Sequence, residues 1–159
     1  MPASILSVAT KSFEQSDVLF FSGHQYAQYH SPGVFTNDAT SLCFNIGAVH
    51  NLVKQVRVVV STSCATICKD PAAIFNSKFP NAMVLVYRFS APLNEGTLSE
   101  AFADKLAKKG ALDLSNESDL QTIRTVWKSV VPTSGGTEGE PGILYQGQVE
   151  YFKEGKWLG

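Results

Sequence analysis

The stretch Asp119–Val131, DLQTIRTVWKSVV, decides the fold, because it reads in two ways. Leu120, Ile123, Trp127 and Val130 recur at helical spacing behind Ser118 and Gln121. Ile123, Trp127 and Val131, interleaved with Thr125 and Ser129, equally fit a strand rich in β-branched residues. A strand here completes an all-β chain, whereas an amphipathic helix packed across a sheet belongs to a mixed one. Periodicity alone leaves both open.

Upstream, Val18–Phe21, Leu42–Ile46 and Val56–Val60 are short apolar runs fenced by Gly, Pro, Asn or Asp, the pattern of strands. Lys69-Asp70-Pro71 is expected to end the stretch after them, since the residue before proline is pushed toward extended geometry. Met83–Phe89 places apolar residues on both parities and reads as a central strand. A short helix follows it. Thr97 and Glu100 have capping-box spacing, Leu98, Ala101, Phe102 and Leu106 form one face, and Gly110 stops the run. Lys105, Lys108 and Lys109 suit the negative end of its dipole. Downstream, residues 132–139 (PTSGGTEG) are a loop by composition, and residues 142–152 alternate as a closing strand.

These elements predict a mainly β chain: a jelly-roll sandwich or barrel of about eight antiparallel strands, with one or two short helices in the connections. The 159 residues suit one domain, residues 1–159, with residues 1–12 as an N-terminal extension. Phe20, Val58, Val60, Leu85, Tyr87, Trp127 and Val149 are the expected core.

Charged residues make up 17% of the chain and the formal net charge is -1. That balance offers no broad attraction to nucleic acid or anionic lipid and excludes a dedicated nucleic-acid reader. Surface that is neither charged nor strongly apolar is expected where copies of a protein cover one another. Three cysteines without a secretory leader pattern exclude a disulfide scaffold, and the uncharged, apolar-looking run Val58–Cys68 is about half a membrane span.

No residue constellation fixes a reaction. Cys64 and Cys68 have His50 as a candidate base, but buried cysteines are the commoner case. His24 and His30 bracket Tyr26 and Tyr29, with Asp38 and Cys43 as further metal donors by proximity in sequence only; a titrating contact surface is the better reading. Gly135, Gly136 and Gly139 lack the lysine and the strand-to-helix context of a phosphate loop. Asp104, Asp113, Glu117 and Asp119 could help hold Ca²⁺ between subunits, against a default of a solvated acidic loop. Leu19, Phe20 and Phe21 carry no interleaved Lys or Arg, so they read as core and contact aromatics rather than base-stacking platforms. No catalytic, cofactor-binding or metal residue is assigned, and the expectation is a non-enzyme without cofactors.

Two resemblances accompany this reading. Residues 12–20 (SFEQSDVLF), residues 84–89 (VLVYRF) followed by Pro92, and the PTSGGTEG loop before GILYQGQVEYF resemble coat proteins of small icosahedral plant RNA viruses, tymovirus-like above all. That resemblance implies a shell subunit assembling through lateral contacts with many copies of itself. It further implies weak non-specific contact with genomic RNA, no membrane partner, and location in the virion and in host cytoplasm during assembly. Residues 47–50 (GAVH), residues 61–63 (STS), residues 69–73 (KDPAA) and residues 98–100 (LSE) are instead similar to the chalcone isomerase superfamily, whose members are isomerases or fatty-acid binders. Thr62 matches that family's catalytic threonine, while His50 replaces its arginine and Leu98 its tyrosine. This second resemblance implies a non-catalytic binder of fatty acid or another small hydrophobic ligand. A helix over Asp119–Val131 favours it; a strand favours the shell.

Overall fold

A computed structural model describes residues 11–21, 33–35, 42–46, 53–62, 69–88, 91, 95–130 and 140–159. Its elements in chain order are β1 (Val18–Phe21), β2 (Gly33–Phe35), β3 (Leu42–Asn45), β4 (Val58–Ser61), α1 (Lys69–Lys78), β5 (Met83–Tyr87), α2 (Glu95–Ala107), α3 (Glu117–Val130), β6 (Pro141–Tyr145), β7 (Gln148–Lys153) and β8 (Lys156–Leu158). Six strands form one sheet in the order β1-β4-β5-β6-β7-β8, and β2 and β3 form a separate antiparallel ribbon.

The sheet corrects the antiparallel jelly-roll expectation. β1, β4 and β5 run parallel, and only β5 through β8 are antiparallel. Helices cover both faces, giving a layered α/β architecture. The cause of the β4–β5 direction is α1. Pro71 is the third residue of that helix, in the first turn, where a missing N–H leaves no intrahelical bond unmade. The proline read as a terminator therefore sits inside a crossover helix, and a crossover of that length returns the chain parallel.

The ambiguous stretch is a helix. Asn116 accepts the Ser118 N–H (2.8 Å) as its cap, with Glu117 and Asp119 in the first turn. Leu120, Ile123, Val126, Trp127 and Val130 are its buried stripe. The polar residues that suit a strand face are absorbed within it, Thr125 Oγ1 donating to the Gln121 carbonyl (2.8 Å) and Ser129 Oγ to that of Val126 (2.8 Å), and Thr122 Oγ1 likewise donates to the Ser118 carbonyl (3.1 Å).

Two apolar cores follow from strand alternation. On one face, Leu19, Val59, Val84 and Val86 pack with Phe13, Phe75 and Phe79. On the other, Val58, Val60, Met83, Leu85, Tyr87 and Ile143 pack with Leu98 and Phe102 of α2 and the α3 stripe. β5 is buried along its whole length, as its central-strand pattern implied. α2 begins before Thr97, which is thus an interior position and not the cap; Gly110, at φ 81°, ends the run beyond it.

Val58, Val60, Leu85, Tyr87 and Trp127 are core as expected. Phe20 is not: it is 56% exposed, standing on an edge strand and packing into neither apolar core. Val149 is only half-buried, packed at the margin of the α1-side core. The stretch read as one closing strand, residues 142–152, is two strands, β6 and β7, and β8 follows them. Gln146-Gly147 and Glu154-Gly155 take left-handed backbone (φ 50°, 76° and 50°, 80°) as two-residue hairpin turns. Among the described residues no helix is long and apolar enough to cross a membrane.

Candidate contact surface

β1 ends the sheet, and among the described residues no strand lies beyond it. Its register with β4 fixes which way each residue faces: Val18 stands beside Val58 and Phe20 beside Val60, on the α2/α3 side. Leu19 stands beside Val59 on the α1 side and is 8% exposed, whereas Val18 and Phe20 are 50% and 56% exposed. Natural edge strands commonly carry lysine, proline or a bulge that blocks further pairing. β8 at the opposite edge has Lys156; VLFF has none of these.

The backbone of β1 has a matching polarity. Asp17 O accepts from Val58 N (3.2 Å) and Arg57 N (2.8 Å), and Phe21 O accepts from Thr62 N (3.0 Å). Residues 17, 19 and 21 therefore direct their peptide groups toward β4, and alternation turns those of Val18 and Phe20 outward.

A cavity of about 520 Å³ opens near the other end of this edge, lined by Asp17, Lys54, Gln55, Arg57, Asp113 and Ser115 among others. Gln55 Nε2 donates to Asp17 Oδ1, and Arg57 Nε donates to the Leu114 carbonyl (3.1 Å). Asp113 Oδ1 accepts from the Ser115 hydroxyl (2.6 Å) and amide (2.9 Å), which together hold its carboxyl below the usual range. Leu112 and Leu114 also line the pocket, so its walls mix apolar side chains with interspersed cations and carboxylates.

The acidic set singled out for Ca²⁺ is occupied locally. Asp119 Oδ2 accepts the Asp113 N–H (2.7 Å), and Glu117 accepts from Gln121 Nε2 (2.7 Å) and the Tyr145 hydroxyl (2.7 Å). The tyrosine bond leads in pulling Glu117 below its ordinary value, while burial, followed by that carboxylate, pushes Tyr145 up. Asp104 enters no such cluster: among the described residues no group of three or more metal-capable side chains assembles. Lys105 Nζ reaches Ser129 Oγ (3.2 Å), tying α2 to α3 in addition to any effect on the helix dipole.

Thr62 is buried, with Oγ1 directed at the Phe21 carbonyl (3.5 Å), and Leu98 is buried in the α2/α3-side core, where a tyrosine hydroxyl would have no water. His24, Tyr26, Tyr29, His30, Asp38, His50, Cys64, Cys68, Gly135, Gly136 and Gly139 lie outside the described residues, and Cys43 is placed on β3 by its backbone only. The exposed edge was missed because an apolar tetrapeptide reads alike at the centre or rim of a sheet; neighbour order is not encoded in it. Comparison with known protein families, curated proteins and solved structures gives no match for this chain.

Proposed function

We propose that this protein is a structural subunit that acts by associating with copies of itself, with β1 as a contact strand. The observation that carries this reading is the exposure of Val18 and Phe20 on an edge without charge or proline. The low charge of the chain agrees with it, since weakly hydrated surface is covered at little desolvation cost. An icosahedral virus shell holding RNA by weak contacts is the largest assembly within this proposal, although the layered α/β fold removes the jelly-roll support for it. Sedimentation of the whole chain over a wide concentration range tests the reading. Concentration-dependent dimers or larger particles support it, and retained RNA in particles extends it to a shell; a monomer at every concentration, unchanged by Phe20→Lys, overturns it.

A second reading is favoured by α3, whose course across the sheet is the arrangement expected of the isomerase-like order. On that reading the chain binds a small ligand without catalysis. The walls of the 520 Å³ pocket, with Leu112 and Leu114 beside Asp17, Lys54, Arg57 and Asp113, suit a small amphipathic molecule carrying charge better than a fatty acid chain. Native mass spectrometry of the purified chain discriminates the two: a retained small molecule with no oligomer favours the binder.

A further inference from the structure

Resting on the self-association reading, we infer that two copies join through β1 by antiparallel pairing about a two-fold axis at Leu19, making one continuous twelve-stranded sheet. The geometry selects this register. A two-fold axis perpendicular to the sheet keeps each face on its own side, so residues directly opposite must share parity. Centring on Leu19 sets Val18 against Phe20 of the second copy, and both belong to the α2/α3 side. Those same two residues turn their peptide groups outward, because residues 17 and 21 are committed to β4. Val18 and Phe20 therefore form hydrogen-bonded pairs, four N–H to O=C bonds in all, and Leu19 meets its own copy as a non-hydrogen-bonded pair. Side-chain parity and backbone polarity thus agree on one register.

Charge permits it as well. β1 carries no ionisable residue, and Asp17 falls opposite Phe21 of the other copy. The two Asp17 carboxylates stand four residues apart along the ribbon, about 14 Å, beyond the screening length at physiological salt. The area sets the strength. Val18 and Phe20, 50% and 56% exposed, offer on the order of 200 Å² per copy, about 400 Å² in total. Stable complexes bury at least roughly 1,200 Å², so the pairing alone gives a weak dimer with a dissociation constant of roughly 0.1–1 mM.

Backbone amide exchange of the unmodified chain, followed by NMR at about 20 μM and about 1 mM, reads the contact directly. The Val18 and Phe20 amides are expected to slow about two- to fourfold at the higher concentration, the range that dissociation constant sets, with those of Lys156–Leu158 on β8 unchanged. As a second measurement, chains carrying Val18→Cys or Phe20→Cys, with Cys43, Cys64 and Cys68 replaced by serine and folding checked by circular dichroism, are oxidised separately and mixed. The 18–20 pair sits about 5.5 Å apart between α-carbons, within disulfide reach, so the mixture cross-links and the separate chains do not. Dimers with unprotected Val18 and Phe20 amides, or cross-links in another register, overturn this pairing and leave self-association standing. A monomer at 1 mM overturns both.

Discussion

The ring of Phe102 on α2 meets the indole of Trp127 on α3 edge-on, with centroids 5.4 Å apart and planes at 86°. Trp127 touches Tyr87 of the central strand in the same manner at 6.0 Å, so one fully buried side chain joins two helices to the sheet. Replacing Trp127 with Ala is expected to cost about 3–5 kcal/mol, since the surrounding layers cannot collapse into the space. Trp127→Phe should cost less, about 1–2 kcal/mol, because the buried indole N–H has no hydrogen-bond partner among the described residues to lose. Urea denaturation of both variants checks the ranking; equal costs would mean that ring volume is not what holds α2 and α3 to the sheet.

What was legible in the sequence followed physical locality. β5 declared itself because a strand buried on both faces is apolar at every position. α3 was ambiguous because threonine and serine suit a strand face and also bond back to the helix carbonyl three or four residues earlier. α1 was hidden by Pro71, whose effect depends on whether it falls in a first turn or later. The parallel direction of β4 and β5 depends on that hidden helix, and the antiparallel jelly-roll part of the expectation fails with it while the sheet itself stands. Nothing local distinguishes Phe20 from a core phenylalanine, since its exposure depends on where β1 stands in the sheet.

The β6–β7 turn offers a stabilising change. Gln146 and Gly147 both have left-handed backbone, which asparagine tolerates better than glutamine does. Gln146→Asn is therefore expected to stabilise by about 0.5–1 kcal/mol, whereas Gly147→Ala should destabilise by about 1 kcal/mol despite open space around its Cα. Thermal melts of the two variants should move in opposite directions; a rise for Gly147→Ala would refute the backbone argument.

Glu150 of β7 lies against Arg124 (Nε to Oε2, 3.0 Å) and Lys128 (3.0 Å) of α3. Burial pushes its carboxyl up, but the bonds and charges of Arg124 and Lys128 outweigh this and hold it below its usual value. With the folded pKa depressed, the unfolded chain takes up the proton first. The stabilisation is complete at neutral pH and fades as pH falls below about 4.3, the unfolded glutamate value, toward the folded one. Glu150→Gln should lower stability by about 1 kcal/mol at pH 7 and converge with the parent in acid. A gap that stays constant from pH 7 to about pH 3 would exclude the ion pairs as its source.

Adjacent residues of β1 should separate folding from association. Leu19 lies in the α1-side core, so Leu19→Ala is expected to destabilise the fold by about 2–4 kcal/mol. Phe20 faces solvent in the single chain, so Phe20→Lys should leave stability within about 0.5 kcal/mol while lowering association at least tenfold, since it sets two lysines roughly 7 Å apart across the proposed pair. The paired strands bring no two charged side chains together, the Asp17 carboxylates lying about 14 Å apart, so the association constant of the parent should change less than about threefold between low and high salt. Sedimentation across a salt series reads this directly. A steep dependence at constant pH would mean that ion pairs or bound polyanion, rather than the apolar strand edge, bring the copies together.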